Sequence, residues 1–81
     1  MMKTVKVYYF AAFRDAAGTS EEQVESSADT LQALFREMVA RHDALDEESA
    51  AKVARNDVLA DWQEGFEDGD TVLFFPPVAG G

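Results

Sequence analysis

The residues that could most readily take part in a chemical reaction are the last two of the sequence, Gly80 and Gly81. The carboxyl group of a final glycine is crowded by no side chain, and a glycine before it allows almost any backbone angle. A partner enzyme with a narrow slot could therefore reach this carboxyl group. Adenylation by an enzyme that uses ATP would make Gly81 an acyl electrophile, which a sulfur donor could convert to a thiocarboxylate or a lysine to an isopeptide bond. The alternative is a frayed terminus without a chemical role.

The residues before the two glycines favour an extended tail. Pro76 and Pro77 cannot donate to a sheet, so strand pairing should end before them, and two prolines hold a chain stiff and extended. A stiff base reduces the entropy that is lost when a partner captures the tail. We therefore predict that a narrow channel of a partner binds the tail through Pro76, Pro77, Val78, Ala79 and Gly80.

Composition excludes several other kinds of site. The chain has 81 residues and no cysteine, which excludes disulfides, thiolate metal sites and a cysteine nucleophile. His42 is its only histidine, so a histidine-rich metal site and any triad with a second imidazole are excluded as well. We expect no bound metal and no bound cofactor, with ATP used only by the activating enzyme.

Acidic residues cluster in the second half of the chain, but their spacing lacks the pattern of a calcium-binding EF-hand loop. We interpret them as a solvated acidic loop, in which the Asp-Gly-Asp sequence is the turn before the last strand. The residues concerned are Asp57, Asp61, Glu64, Glu67, Asp68 and Asp70.

The net charge of −9 bears on partners and location. A chain this acidic repels nucleic acid and anionic membranes and favours a partner with a basic surface, although the charge could serve solubility alone. No apolar run approaches the length of a membrane span. The first residues lead directly into an alternating strand pattern, not a signal peptide, so we expect a cytoplasmic protein.

The elements that must position the tail follow from periodicity. Residues 3–10 alternate with period two, which predicts a strand, and residues 22–26 favour a second strand. Residues 11–17 suit a short turn or helical bend closed by Gly18. A helix is predicted from about Thr30 to His42, because apolar residues recur there at helical spacing. That stripe consists of Leu31, Leu34, Phe35, Met38 and Val39.

The second half adds three more strands after an acidic connection over residues 43–48. Residues 52–55 and 58–60 are predicted to form a hairpin around Asn56-Asp57. Residues 71–75 are apolar on both faces, so this strand should be central in its sheet. The order β-β-α-β-β-β predicts an α+β protein with the β-grasp, or ubiquitin-like, fold, a mixed sheet with one main helix on one face. We expect one domain over residues 1–75 and a tail over residues 76–81.

A sheet covered by a helix on one face only leaves its other face open. Strand parity places Tyr8, Phe10, Leu59 and Phe75 on that face or at its edge. An exposed apolar patch of this kind usually marks a partner site. Ordinary burial under loops is the alternative.

The stretch from Phe66 to Gly81 closely resembles the C-terminal region of the MoaD/ThiS family of sulfur carriers, and in particular the small subunits of molybdopterin synthase. The resemblance rests on the Asp-Gly-Asp turn, two phenylalanines, the diproline and the terminal Gly-Gly. The opening stretch, residues 5–11 with Arg14 and Gly18, also looks like the family's. The resemblance covers essentially the whole chain and is weakest over residues 43–52.

The resemblance implies a sulfur carrier that is not itself an enzyme. A MoeB-like enzyme would adenylate Gly81, and a sulfurtransferase or cysteine desulfurase system would supply the sulfur. The carrier would dock on a MoaE-like large subunit in a heterotetramer and help to convert cyclic pyranopterin monophosphate to molybdopterin. In the family, the positions that match Phe10, Leu59 and Phe75 look like apolar contacts to that subunit. Arg14 matches an arginine that could pair with a partner carboxylate, or could be a solvated loop residue.

Three other functions stay open. A ThiS-like carrier for thiamine biosynthesis would share the fold and the adenylation, although the Phe-Phe-Pro-Pro sequence and the longer chain favour molybdopterin synthase. A ubiquitin-like modifier would form isopeptide bonds with target lysines. A plain interaction module would work without Gly81.

Overall fold

The computed structural model describes residues 1–47 and 50–77. Each predicted strand and the main helix are confirmed to within one residue at either end, and the short segment after the first strand is a helix. In chain order the elements are β1 (Lys3–Tyr9), α1 (Ala12–Ala17), β2 (Glu21–Ser26), α2 (Leu31–Arg41), β3 (Lys52–Arg55), β4 (Val58–Ala60) and β5 (Thr71–Phe75).

The described strands form one mixed sheet in the order β2-β1-β5-β3-β4. The central strands β1 and β5 run parallel, while the other three neighbouring pairs are antiparallel. Because β5 is paired on both sides, the prediction of a central last strand is confirmed. A mixed sheet with a helix packed on it is the β-grasp arrangement predicted from the element order.

Helix α2 covers one face of the sheet. The hydroxyl oxygen of Thr30 accepts a hydrogen bond from the backbone N–H of Ala33 at 3.1 Å, which caps the first turn. The predicted apolar stripe faces inward, except that Val39 lies at the margin of the core and is only partly buried. The stripe packs against the residues of the central strands that alternate towards it, namely Val5, Val7, Tyr9, Val53, Val72 and Phe74.

The predicted hairpin turn at Asn56-Asp57 is confirmed. Both residues have positive φ, 51° and 71°, as a two-residue turn of type I′ requires. Asn56 also serves a second purpose, because its side chain donates to Asp70 Oδ1 at 3.0 Å and accepts from the backbone N–H of Thr71 at 2.9 Å. The turn is thereby fastened to the start of β5.

We expect Asp57→Gly to raise the free energy of unfolding by about 0.5–1 kcal/mol, because glycine adopts positive φ without the steric cost of a side chain. Urea denaturation measures the change. The matched variant Asn56→Gly should instead lower stability, since it removes both side-chain hydrogen bonds to β5. Equal effects of the two substitutions would contradict this account of the turn.

Candidate functional site

The base of the predicted tail lies at one end of the sheet. Phe75 is the last residue of β5, and because β5 runs parallel to β1, the chain leaves the sheet at the end where β1 gives way to Phe10 and α1. Pro76 and Pro77 follow outside the strand, as predicted. The other predicted tail residues, Val78, Ala79, Gly80 and Gly81, lie outside the described residues.

The face of the sheet opposite α2 carries an apolar patch at this same end. The open-face patch, as we call it, consists of Tyr8, Phe10, Leu59, Leu73 and Phe75. In it the rings of Phe10 and Phe75 stack with their centroids 4.7 Å apart and their planes 11° from parallel. Leu59 is 72% exposed and Phe10 is 37% exposed, whereas Phe75 is half-buried. The structure therefore brings three predicted partner-binding residues to one open apolar face.

Strand register explains why these side chains share a face. Ala54 pairs with Leu59 on one side and with Leu73 on the other, so the three side chains point the same way. Val58, which precedes Leu59, must point to the opposite face and is also exposed. A shallow groove runs from Leu59 past Phe75 to the two prolines, which joins the patch to the base of the tail.

Arg14, the fourth predicted partner-binding residue, lies on α1 at the tail end of the sheet. Its side chain is 56% exposed, and its Nε atom is 4.0 Å from the carboxylate of the adjacent Asp15. An exposed ion pair at this distance contributes little to stability. Arg14 follows Phe10 of the open-face patch by four residues in the sequence, and its exposed side chain remains accessible to a partner.

The start of β5 is fixed by a charged cluster that the sequence reasoning missed. Asp70 is 9% exposed, and its carboxylate accepts from Arg55 Nε at 2.6 Å, from Asn56 Nδ2 at 3.0 Å and from the backbone N–H of Glu67 at 2.8 Å. The interpretation of Asp70 as part of a solvated loop is therefore wrong. Burial alone would raise the pKa of Asp70, but these hydrogen bonds and the Arg55 charge hold it below its ordinary value.

The rest of that interpretation is confirmed. Asp57, Asp61, Glu64, Glu67 and Asp68 are exposed, and residues 68–70 form the turn that leads into β5.

Among the described ranges, no three acidic, histidine or cysteine side chains are placed so that they could hold a metal ion together. In the same ranges, no helix combines the length and the apolar character that crossing a bilayer requires.

A second polar cluster ties α2 to the sheet. One carboxylate oxygen of Glu22, Oε2, accepts from the Tyr9 hydroxyl at 2.5 Å and lies 2.6 Å from His42 Nε2, while Arg41 Nη1 is 3.6 Å from Oε1. Burial and the bond to Glu22 raise the pKa of Tyr9. Burial alone would raise the pKa of Glu22, but the bonds from Tyr9 and His42 and the nearby positive charge lower it.

This cluster predicts a loss of stability in acid. Because the pKa of Glu22 is lower in the folded state, its contribution is present above its ordinary pKa of 4.5 and is lost as the pH falls through the lowered folded value. We expect Glu22→Gln to lower the free energy of unfolding by about 1–3 kcal/mol at neutral pH. In the pH–stability profile, the free energy of unfolding of this variant should also fall less steeply as the pH decreases into the acid range. Urea denaturation at neutral and acid pH measures both effects.

The control for this prediction is Glu25→Gln on the same strand, where the side chain is exposed. It removes the same charge and should leave the profile nearly unchanged. A residual acid dependence in Glu22→Gln is expected from Asp70, whose pKa is also lowered. Identical profiles for the two variants would show that the Glu22 hydrogen bonds do not stabilise the fold.

One protein family and a curated relative match this chain over most of its length. Residues 7–81 match the model of the ThiS family. The molybdopterin synthase sulfur carrier subunit of Escherichia coli (strain K12) is 38% identical over 95% of this chain and 99% of its own length.

Solved structures of similar proteins agree in fold. Small archaeal modifier protein 1 of Haloferax volcanii superposes with a TM-score of 0.82 at 26% identity, covering 94% of this chain and 99% of its own. A protein–protein complex of subunits 1 and 2 of the molybdopterin-converting factor from Helicobacter pylori contains a chain that matches with a TM-score of 0.60 at 31% identity, with full coverage of both chains.

Proposed function

Because the chain belongs to the ThiS family, we propose that it is the sulfur carrier subunit of a molybdopterin synthase and that Gly81 carries the sulfur as a thiocarboxylate. The observation that carries this proposal is the extent of the match. The family model runs through Gly80 and Gly81 to the last residue, and the E. coli carrier subunit is matched over nearly its whole length.

The absence of cysteine from the sequence supports the same chemistry. A protein can carry transferable sulfur as a persulfide on a cysteine, and this chain has no thiol on which to form one. A thiocarboxylate needs only a carboxyl group that an enzyme can reach. A glycine pair behind two prolines offers such a group on a narrow, stiff tail.

The proposed reaction has two stages, both catalysed by partners. In the first, an oxygen of the Gly81 carboxylate attacks the α-phosphorus of ATP in a MoeB-like enzyme, and pyrophosphate leaves. In the second, a persulfide sulfur of a sulfurtransferase or cysteine desulfurase system attacks the acyl carbon, and AMP leaves. A thiol of the donor system then cleaves the sulfur–sulfur bond, which leaves the thiocarboxylate on Gly81.

The loaded carrier then docks on a MoaE-like large subunit, with two carriers and two large subunits in a heterotetramer. The H. pylori complex of two subunits supports a partner of this kind. The open-face patch supplies the apolar contact, and the groove beside Phe75 joins that patch to the two prolines at the base of the tail. The tail enters the partner's active site. There two such transfers supply the two sulfurs that convert cyclic pyranopterin monophosphate to the dithiolene of molybdopterin, and water restores the Gly81 carboxylate after each transfer.

The experiment that tests this proposal is the intact mass of the protein after incubation with ATP, the activating enzyme and a sulfur source. The expected product is heavier by the difference between one sulfur and one oxygen, and fragmentation places the change on Gly81. Adding the large subunit and the pterin precursor should then yield molybdopterin. A thiocarboxylate that forms but supports only thiamine synthesis would move the protein to that pathway.

A second candidate, a protein modifier, is favoured by one observation. The H. volcanii protein of the same fold is named a modifier. In that role the acyl adenylate is attacked by a lysine amine of a target, AMP leaves and an isopeptide bond forms. Conjugates that survive reducing agent in cell extracts would support this role, and a mass spectrum with only free or thiocarboxylated chain would exclude it.

A further inference from the structure

Most basic side chains of this acidic chain are engaged within the molecule. Lys3 Nζ donates to the carbonyl oxygen of Ala28 at 2.8 Å and lies 4.3 Å from the centroid of the Phe66 ring. Arg55 is held by Asp70 and by two further acidic residues. Three others each face a carboxylate, in the pairs Lys6–Glu21 at 3.7 Å, Arg36–Glu47 at 3.0 Å and Arg41–Glu22 at 3.6 Å.

Lys52, on strand β3, differs from these basic residues in its contacts. Within residues 1–47 and 50–77, its ammonium group forms an ion pair with none of the acidic side chains. Lys52 is exposed and lies directly opposite Phe75 in the β3–β5 pairing, so the two side chains share the open face. It also lines the groove with Leu59 and the two prolines. Lys52 is thus a cation at the base of the tail that none of the described acidic side chains pairs with, in a chain of net charge −9.

We infer that Lys52 is a specificity-determining contact of the docking surface, where its ammonium group pairs with a carboxylate of the large subunit. This inference rests on the proposed function. The aliphatic stem of a lysine packs along apolar surface while its charged end reaches outward, which suits the groove beside Phe75. When docking displaces water from the open-face patch, the ion pair at its margin is strengthened by the lower local dielectric constant.

Such a contact gives specificity because it opposes the overall charge of the chain. A partner that is attracted only by the net charge of −9 presents basic groups, and a basic group opposite Lys52 would be repelled. The partner that fits therefore has a basic surface with one carboxylate beside the slot that receives the tail. A basic protein without that carboxylate is disfavoured.

The test is isothermal titration of the large subunit of the same organism with the wild-type carrier and with two variants, Lys52→Met and Lys52→Glu. Lys52→Met keeps the aliphatic stem and removes the charge. The controls are Lys6→Met and Lys6→Glu, which change the net charge equally. Lys6 lies on the same face but pairs with Thr71 in the sheet, four residues and about 13 Å along β5 from Phe75.

We expect Lys52→Met to raise Kd about tenfold and Lys52→Glu to raise it further, while the Lys6 variants keep the wild-type Kd or bind slightly more tightly. Net charge alone predicts the opposite sign for Lys52, since each added negative charge would strengthen binding to a basic partner. Thermal unfolding of all four variants checks that the fold is retained.

The two proposals fail in different ways. A wild-type carrier that does not bind the large subunit would overturn the proposed function. A wild-type carrier that binds, together with Lys52 and Lys6 variants of equal affinity, would overturn only the role of Lys52. A loss in Lys52→Glu without any loss in Lys52→Met would also overturn the ion pair, because it would show repulsion by the new charge and not loss of the old one.

Discussion

A chain that ends at Gly80 is expected to take up no sulfur, while its free energy of unfolding stays within about 0.5 kcal/mol of that of the full chain. The stability should be unchanged because Phe74 is the last core residue within the described ranges and Gly81 follows the two prolines in the sequence. Sulfur loading should be lost because the slot of the activating enzyme is proposed to hold the tail at a fixed depth. A tail shortened by one residue places its carboxylate about 3.5 Å short of the reacting phosphorus.

Intact mass after incubation with ATP, activating enzyme and sulfur source measures this effect, and urea denaturation measures stability. The matched control removes one residue from the other end, so that the chain starts at Met2. Met1 is fully exposed, and its loss should alter neither measurement. Sulfur uptake at the wild-type rate by the chain that ends at Gly80 would contradict the proposal that the activating enzyme requires a tail that ends at Gly81.

Phe75→Ala is expected to weaken binding of the large subunit by about 2 kcal/mol or more, which is roughly a thirtyfold increase in Kd. Phe75 joins the stacked Phe10 ring, the groove and the base of the tail, so its truncation removes apolar contact area and leaves Phe10 without its stacking partner. The half-buried position of Phe75 predicts a moderate loss of stability in addition.

Val58→Ala is the control for this prediction. Val58 is 68% exposed in the same hairpin as Leu59 but points away from the open-face patch, so its truncation should leave Kd within about twofold of wild type. Titration calorimetry with each variant decides the matter. Equal affinities for Phe75→Ala and wild type would remove Phe75 from the interface, and a loss in Val58→Ala would move the docking surface to the other face of the sheet.

Most of the fold could be predicted from local patterns in the sequence. The alternation in β1 and the helical spacing in α2 predicted which side chains face the core, and the Asn56-Asp57 sequence between two extended runs predicted the hairpin. These features depend on neighbours in the chain, so a sequence displays them directly. The placement of Phe10, Leu59 and Phe75 on one open face followed from the same parity.

The contacts that were missed join distant parts of the chain. Glu22 meets Tyr9 and His42, and Asp70 meets Arg55, because strand pairing and helix packing bring these residues together. Sequence spacing gives no sign of such pairs, and an acidic residue among other acidic residues looks solvated. Leu45 was missed for the same reason, since it is a single leucine within an acidic connection and yet is 1% exposed.

The parallel pairing of β1 with β5 has a practical consequence for work with this protein. Because both strands run the same way, the first residue of β1 and the exit of the tail lie at opposite ends of the sheet, separated by about 20 Å. An affinity tag, a fluorophore or a tether to a sensor chip placed before Met1 therefore starts at the end of the sheet opposite to Phe75 and the two prolines. Immobilisation in this orientation leaves the open-face patch and the base of the tail accessible to a partner in solution.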